Sequence, residues 1–86
     1  MDEKPEAWLY RRYAHALDGL RLMAENGYRV NARDMMASHG WRKIMFFVVA
    51  SSSDGQKLRG IHFKEVKVMD YGVPLDVQEM AYAQVL

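Results

Sequence analysis

The stretch Trp41–Tyr71, WRKIMFFVVASSSDGQKLRGIHFKEVKVMDY, decides the fold that the sequence predicts. Residues 41–50 and 58–71 are rich in β-branched and aromatic side chains, which favour extended strands. The dipeptide Asp54-Gly55 between them is typical of a two-residue hairpin turn. We therefore predict one antiparallel β-hairpin that reverses direction at Asp54-Gly55.

The predicted hairpin has two unlike faces. Phe46 pairs with Phe63 in this register, and a β-bulge near Lys64-Glu65 keeps the later apolar residues on the same side. This core face, covered by the first helix, holds Ile44, Phe46, Val48, Ile61, Phe63, Val66 and Val68. The second face holds Trp41, Met45, Phe47, Val49, His62 and Met69, interrupted by Lys43, Lys64 and Lys67. Because that face is too apolar for water and too basic for a core, we expect it to contact a partner.

Helices are predicted on both sides of the hairpin. Apolar residues recur at spacings of three and four over residues 5–25, which indicates a first helix. A short second helix follows a cap at Asn31 and ends at Gly40, and a last helix covers residues 77–86 behind a cap at Asp76. The expected fold is α+β in the order α-α-β-β-α, with helices packed on the antiparallel hairpin. A lone ribbon leaves both edges unpaired, so we expect self-association to extend this sheet.

Length and composition set the class of protein. The 86 residues suffice for one domain, which we assign to residues 1–86 and interpret as a complete small protein. The chain has no cysteine, which excludes a disulfide framework and predicts a cytoplasmic location. No stretch reaches the ~18 apolar residues that span a bilayer, and the charged residues 1–6 are unlike a signal peptide. We expect no membrane partner.

The charges are concentrated in the middle of the chain. The formal net charge is +1, yet residues 29–67 carry eight bases against three acids. A basic surface of this kind favours nucleic acid or an acidic protein. The other interpretation, a set of solvated strand and loop faces, is the more common one for a charge pattern without a motif.

Residues that could carry catalysis or bind a metal are scattered. His15, His39 and His62 lie far apart in sequence and no cysteine accompanies them, so their spacing indicates no zinc site. The serines at 51–53 lie in a predicted loop tip, where no base is positioned to activate them. No glycine-rich loop stands between a strand and a helix. We predict a non-enzyme with no catalytic residue, no metal ligand, no cofactor and no small-molecule substrate.

Binding is the function that these observations leave. We predict a small non-enzymatic protein-binding or regulatory protein that acts by occupying the surface of another protein, of a second copy of itself, or both. In size and organisation it is similar to the small regulators and host-factor inhibitors of phages and plasmids, although it carries no family motif. The alternative is a nucleic-acid-binding protein that uses the basic hairpin, residues 41–69. The predicted contact residues are Trp41, Lys43, Met45, Phe47, Lys57, Arg59, His62, Lys64 and Lys67.

Overall fold

The central element of the fold is a strand close to the N-terminus. The computed structural model describes residues 4–85, so the ends of the predicted single domain lie outside the described residues. Strand β1, Glu6–Tyr10, is buried along its whole length between two parallel neighbours. The elements that follow are α1 (Tyr13–Glu25), β2 (Arg29–Asn31), β3 (Met36–His39), β4 (Arg42–Val48), a 3₁₀ segment (Ser52–Leu58), β5 (Glu65–Val68) and α2 (Leu75–Ala83).

The five strands form one mixed sheet in the order β2-β3-β4-β1-β5. Strands β2, β3 and β4 are antiparallel neighbours, whereas β1 runs parallel to both β4 and β5. The chain order is therefore β-α-β-β-β-3₁₀-β-α, and the predicted order α-α-β-β-α is wrong. The predicted antiparallel hairpin is wrong as well, because β4 and β5 both pair with β1 and not with each other.

The dipeptide Asp54-Gly55 does not reverse the chain. The Asp54 carboxylate accepts hydrogen bonds from the backbone N–H groups of Ala50 (2.9 Å) and Ser51 (3.2 Å), and so caps the 3₁₀ segment. Gly55 is buried against α2, where a Cβ atom would lie 3.4 Å from Met80. The segment serves as the crossover that two parallel-running strands require.

The predicted first helix, residues 5–25, is wrong over its first third. Residues 6–10 are the central strand, and the helix begins only at Tyr13. Ala7 and Leu9 pack on one side of the sheet, and Trp8 packs on the other side. A strand that is buried on both faces reads as a nearly continuous apolar run, here Ala7 to Tyr10, and short apolar runs of this kind are not distinguished from a helix by periodicity.

The predicted second helix is wrong, because the residues after its cap at Asn31 form a hairpin loop and strand β3, which pairs antiparallel with β2. The side-chain pair that suggested a helix cap is present, but it closes a hairpin loop. Asn31 Oδ1 accepts the Asp34 backbone N–H at 3.1 Å, and Asn31 Nδ2 donates to the Asp34 carboxylate at 2.9 Å. Met35 then adopts a left-handed conformation with φ of 54°, which returns the chain to β3.

Two cores lie on opposite sides of the sheet. The core beneath α1 contains Trp8, Tyr10, Ala16, Leu20, Ala37, Ile44 and Phe46. The core beneath α2 and the 3₁₀ segment contains Ala7, Leu9, Phe47, Val49, Leu58, Phe63, Val66, Val73, Val77 and Ala81. The prediction that Phe46 and Phe63 share a face is therefore wrong, as is the bulge at Lys64-Glu65 that served it.

The last helix lies where the sequence predicts one, with different bounds. It begins at Leu75 after Pro74 and ends at Ala83. Asp76 lies in its first turn and not at the cap, and the predicted final residue, Leu86, is outside the described residues. Neither α1 nor α2 is long and apolar enough to cross a membrane, which holds for every helix in residues 4–85.

Candidate functional site

One face of the sheet is only half covered. The α2-side core reaches β1, β5 and the end of β4, and it includes no residue of β2 or β3. On this side of β2, β3 and β4, the residues that are exposed to solvent or half-buried lie side by side in the observed register. We call this set the open face: Arg29, Asn31, Met36, Ser38, Lys43 and Met45.

Trp41 projects from the turn that joins two strands of the open face. His39 and Arg42 are paired, so Gly40 and Trp41 form a two-residue hairpin turn. Gly40 has φ of +57°, the left-handed conformation that such turns require and that glycine adopts without strain. The Trp41 side chain is 82% exposed. A large indole in water is typical of a binding surface, where it has much apolar area to bury.

Three lysines surround Trp41. Lys4 precedes β1, Lys64 precedes β5 and Lys43 lies at the start of β4. Because β4, β1 and β5 are parallel neighbours, their amino ends lie together at one end of the sheet. The three lysines and Trp41 line a shallow cleft of about 210 Å³, which we call the lysine cleft. Among residues 4–85, none of the three forms an ion pair.

The charges at the floor of the lysine cleft neutralise each other. Arg42 donates two hydrogen bonds to the Glu6 carboxylate, from Nε at 2.6 Å and Nη2 at 3.0 Å, and a third from Nη1 to the Tyr28 hydroxyl at 2.8 Å. Trp8 Nε1 donates to the same carboxylate at 3.2 Å. The Arg42 bond lowers the pKa of Glu6, and the Glu6 bond raises the pKa of Arg42. The positive charge left for a partner is therefore that of the lysines.

The structure brings together some of the predicted contact residues and separates others. Trp41, Lys43 and Lys64 line the lysine cleft, and Met45 belongs to the open face where that face adjoins the α2-side core. Phe47 is 8% exposed and belongs to that core. The remaining four lie elsewhere: Lys57 and Arg59 at the 3₁₀ segment, His62 in the loop before β5, and Lys67 over the Trp8 ring on the α1 side.

Several surface residues were not predicted from the sequence. Met36 and Ser38 fall in the false second helix and Arg29 falls in no predicted element, although residues 28–31 and 36–39 alternate between inward and outward positions as strands do. Lys4 carries no local signal, because only the parallel pairing of β1 brings it beside Lys64.

A second polar cluster lies at the opposite, carboxyl end of the parallel strands. Asp70 follows β5 and accepts hydrogen bonds from the backbone N–H groups of Arg11 (3.0 Å) and Arg12 (3.3 Å) and from His15 Nδ1. Its carboxylate therefore caps the first turn of α1. Within residues 4–85, no group of three or more His, Cys, Asp or Glu side chains is placed to hold a metal ion.

The open face and the lysine cleft form one continuous surface through Lys43. It can accept an anionic group, a carboxylate or a phosphate, on the lysines while the Trp41 ring packs against an apolar or planar group. No known protein family, curated protein or solved structure matches the chain.

Proposed function

We propose that the protein is a small, non-enzymatic binding protein that regulates a partner by occupying the partner's surface. Its contact surface is the open face together with the lysine cleft, and its partner there is an acidic segment of another protein. One observation carries this proposal: Trp41, 82% exposed, stands among three lysines that form no ion pair within residues 4–85.

The composition of this surface supports a protein partner. Tryptophan and arginine are enriched among the residues that contribute most to protein interfaces, and Trp41 and Arg29 occupy this surface. Met36 and Met45 are half-buried, and methionine side chains adapt to differently shaped partners. The lysines form a charged rim, which favours acidic partners and speeds their association.

Single-stranded nucleic acid is the second candidate. The specific observation in its favour is the convergence of Lys4, Lys43 and Lys64 beside an aromatic ring, since such proteins combine phosphate contacts with base stacking. The protein partner is preferred because the formal net charge is only +1 and, of the described residues that line the lysine cleft, Trp41 alone is aromatic.

Fluorescence of Trp41 distinguishes the two candidates. Trp8 is 7% exposed, so a quencher in solution reports mainly on Trp41. We expect a glutamate-rich peptide to shift the emission of Trp41 and to protect it from acrylamide. A single-stranded oligonucleotide serves as the competing probe. The double variant Lys43→Glu/Lys64→Glu abolishes the response, whereas Arg21→Glu, on the exposed side of α1, leaves it unchanged.

Capture from a host-cell extract tests the partner itself. We expect a protein to be retained by the wild type and by Leu22→Ala, an exposed residue of α1, and to be lost with Trp41→Ala. Retention that disappears after nuclease treatment, together with steep weakening between low and moderate salt, favours nucleic acid. If Trp41→Ala retains the same molecules as the wild type and neither probe binds, the proposed surface is wrong.

The proposal includes a cytoplasmic location and an inhibitory effect on a host factor. The absence of cysteine supports the location, because thiol-free chains need no oxidising compartment. Blocking a partner's surface is the simplest effect of a small protein without a catalytic group. Fractionation of expressing cells tests the location. The activity of the captured partner in the presence of the wild type and of Trp41→Ala tests the inhibitory effect.

A further inference from the structure

A different surface, the outer edge of β5, carries an inference that is independent of Trp41. Strand β5 pairs with β1 along one side. On its other side, within residues 4–85, the chain places one strand-like partner: Phe63 forms a parallel bridge with Val85, and its N–H donates to the Gln84 carbonyl at 2.9 Å. The edge therefore accepts a paired strand beside Phe63. Over residues 65–68 no described residue pairs with it.

The direction of the backbone groups along β5 follows from its register with β1 and from the bond at its end. Strand β5 pairs in parallel with Glu6–Leu9, and the N–H of Met69, which follows it, donates to the Leu9 carbonyl at 2.8 Å. Because backbone groups alternate between the two sides of a strand, the N–H and C=O groups of Glu65 and Lys67 also point toward β1, and those of Val66 and Val68 point away from it. Val66 and Val68 therefore present two donors and two acceptors at the free edge.

We propose that a second copy of the chain pairs antiparallel with this edge across a two-fold axis. In this dimer, Val66 lies opposite Val66 of the second copy, and Glu65 lies opposite Lys67 of the second copy. The two Val66 residues exchange two backbone hydrogen bonds across the axis, and the opposite charges of each Glu65–Lys67 pair lie side by side on the α1 side of the sheet. The two sheets become one.

Charge complementarity selects this register. A two-fold axis through the sheet places the α1 sides of both copies on the same side of the combined sheet. The residue opposite a given position can therefore shift only by two residues along the partner strand. A shift in one direction places Glu65 opposite Glu65, and a shift in the other places Lys67 opposite Lys67. Directly opposed like charges are unfavourable, whereas the chosen register opposes only Glu65 to Lys67.

The ends of the edge limit the contact to residues 64–68. Val85 occupies the edge beside Phe63 and stops a partner strand from extending further. At the other end, the Met69 N–H turns inward to the Leu9 carbonyl at 2.8 Å, and Asp70 leaves the sheet to cap α1. So short a contact predicts a weak dimer that forms with rising protein concentration.

Sedimentation velocity from ~1 µM to ~1 mM protein tests the dimer, a range that brackets weak association. We expect the wild type to pass from monomer to dimer over this range. Glu65→Lys and Lys67→Glu each create two pairs of like charges across the axis, so each weakens association about tenfold or more. The double variant Glu65→Lys/Lys67→Glu exchanges the charges and restores wild-type association.

Matched variants on α1 control for general effects of charge. Asp18 and Arg21 form an exposed ion pair at 3.6 Å, so Asp18→Lys and Arg21→Glu change the same charges away from the edge and leave association unchanged. Equal thermal midpoints show that every variant is folded. A chain that stays monomeric to ~1 mM, or a double variant that stays as weak as the single ones, overturns the proposal.

Discussion

The carboxylate of Asp70 lies against the first turn of α1, with Oδ1 2.9 Å from Nδ1 of His15. The same side chain accepts the backbone N–H groups of Arg11 and Arg12. The N-cap position of α1 is Arg12, whose side chain makes no capping bond. A residue that lies 58 positions away in the chain therefore supplies the cap.

We expect Asp70→Ala to lower the free energy of unfolding by about 1–2 kcal/mol, the usual effect of losing a helix cap. Urea titration measures it. Asp18→Ala is the control, because Asp18 is exposed on the same helix and forms an ion pair with Arg21 of that helix. A control as destabilised as Asp70→Ala would show that the capping contact is not the cause.

The Asp70 cap also predicts a response to acid. Burial raises the pKa of Asp70, but the hydrogen bonds from His15 and from the two backbone N–H groups outweigh it, and the pKa lies below its ordinary value. A carboxyl with a lowered folded-state pKa contributes stability above its unfolded pKa of ~3.9, and that contribution is lost as the pH falls through the folded value. We expect Asp70→Asn to flatten the fall of stability below about pH 4, measured by urea titration across pH.

Gly19 lies where α1 crosses the sheet, and we expect Gly19→Ala to destabilise the protein. Inside a helix, alanine ordinarily stabilises the protein by about 1 kcal/mol relative to glycine. Here a Cβ atom would collide with the Tyr10 hydroxyl and lie 3.0 Å from the Phe46 ring. Thermal unfolding gives the sign of the change. In the Tyr10→Phe background the collision with the hydroxyl is gone, so the same substitution should be less harmful; equal losses in both backgrounds would contradict this.

Replacing one partner of the Glu6–Arg42 ion pair should destabilise the protein more than replacing both partners. Glu6 is buried, so Arg42→Met alone leaves a carboxylate without its cation and costs about 1–3 kcal/mol. The double variant Glu6→Gln/Arg42→Met removes both charges, and we expect it to recover part of the loss. Guanidinium titration of the single and double variants measures the coupling. Strictly additive losses would argue against a shared bond.

The two tryptophans should differ in their contribution to stability. Trp8 is packed against Phe46 with ring centroids 5.3 Å apart, and Trp8→Ala should cost about 3–5 kcal/mol. Trp41→Ala should change the free energy of unfolding by less than about 0.5 kcal/mol, as is usual at the surface. Denaturant titration compares them. A large loss with Trp41→Ala would mean that this ring stabilises the fold and is not reserved for a partner.

The β4 segment shows which features of the fold its local sequence pattern predicts and which it does not. Its alternation correctly separates Ile44 and Phe46 from Met45 and Phe47, and the two sets lie on opposite sides of the sheet. The pattern says nothing about which strand lies next to β4. One neighbour is β3, the next strand along the chain, but the other is β1, whose partner residues are 38 positions away, as Glu6 and Ile44 show.

The surface proposed for binding was predictable only in part. Trp41 and Lys43 belong to one strand–turn unit, so local sequence places them together. Lys64 and Lys4 join them because two parallel pairings align the amino ends of β4, β1 and β5. Contacts between residues so distant in sequence leave no local signature.

The sequence alone determined the body of α1 and the last helix, each of which keeps one polar face, and the extended segment β4, whose β-branched and aromatic residues favour a strand. Tertiary structure alone decided that residues 6–10 form the central strand and that Asp54 caps a crossover instead of a turn. The physical reason is burial. A segment with one face in water shows the hydrophobic periodicity of its own secondary structure in its sequence. A segment covered on both faces takes its conformation from the neighbours that the fold brings to it, as does a polar side chain that can cap either a turn or a helix.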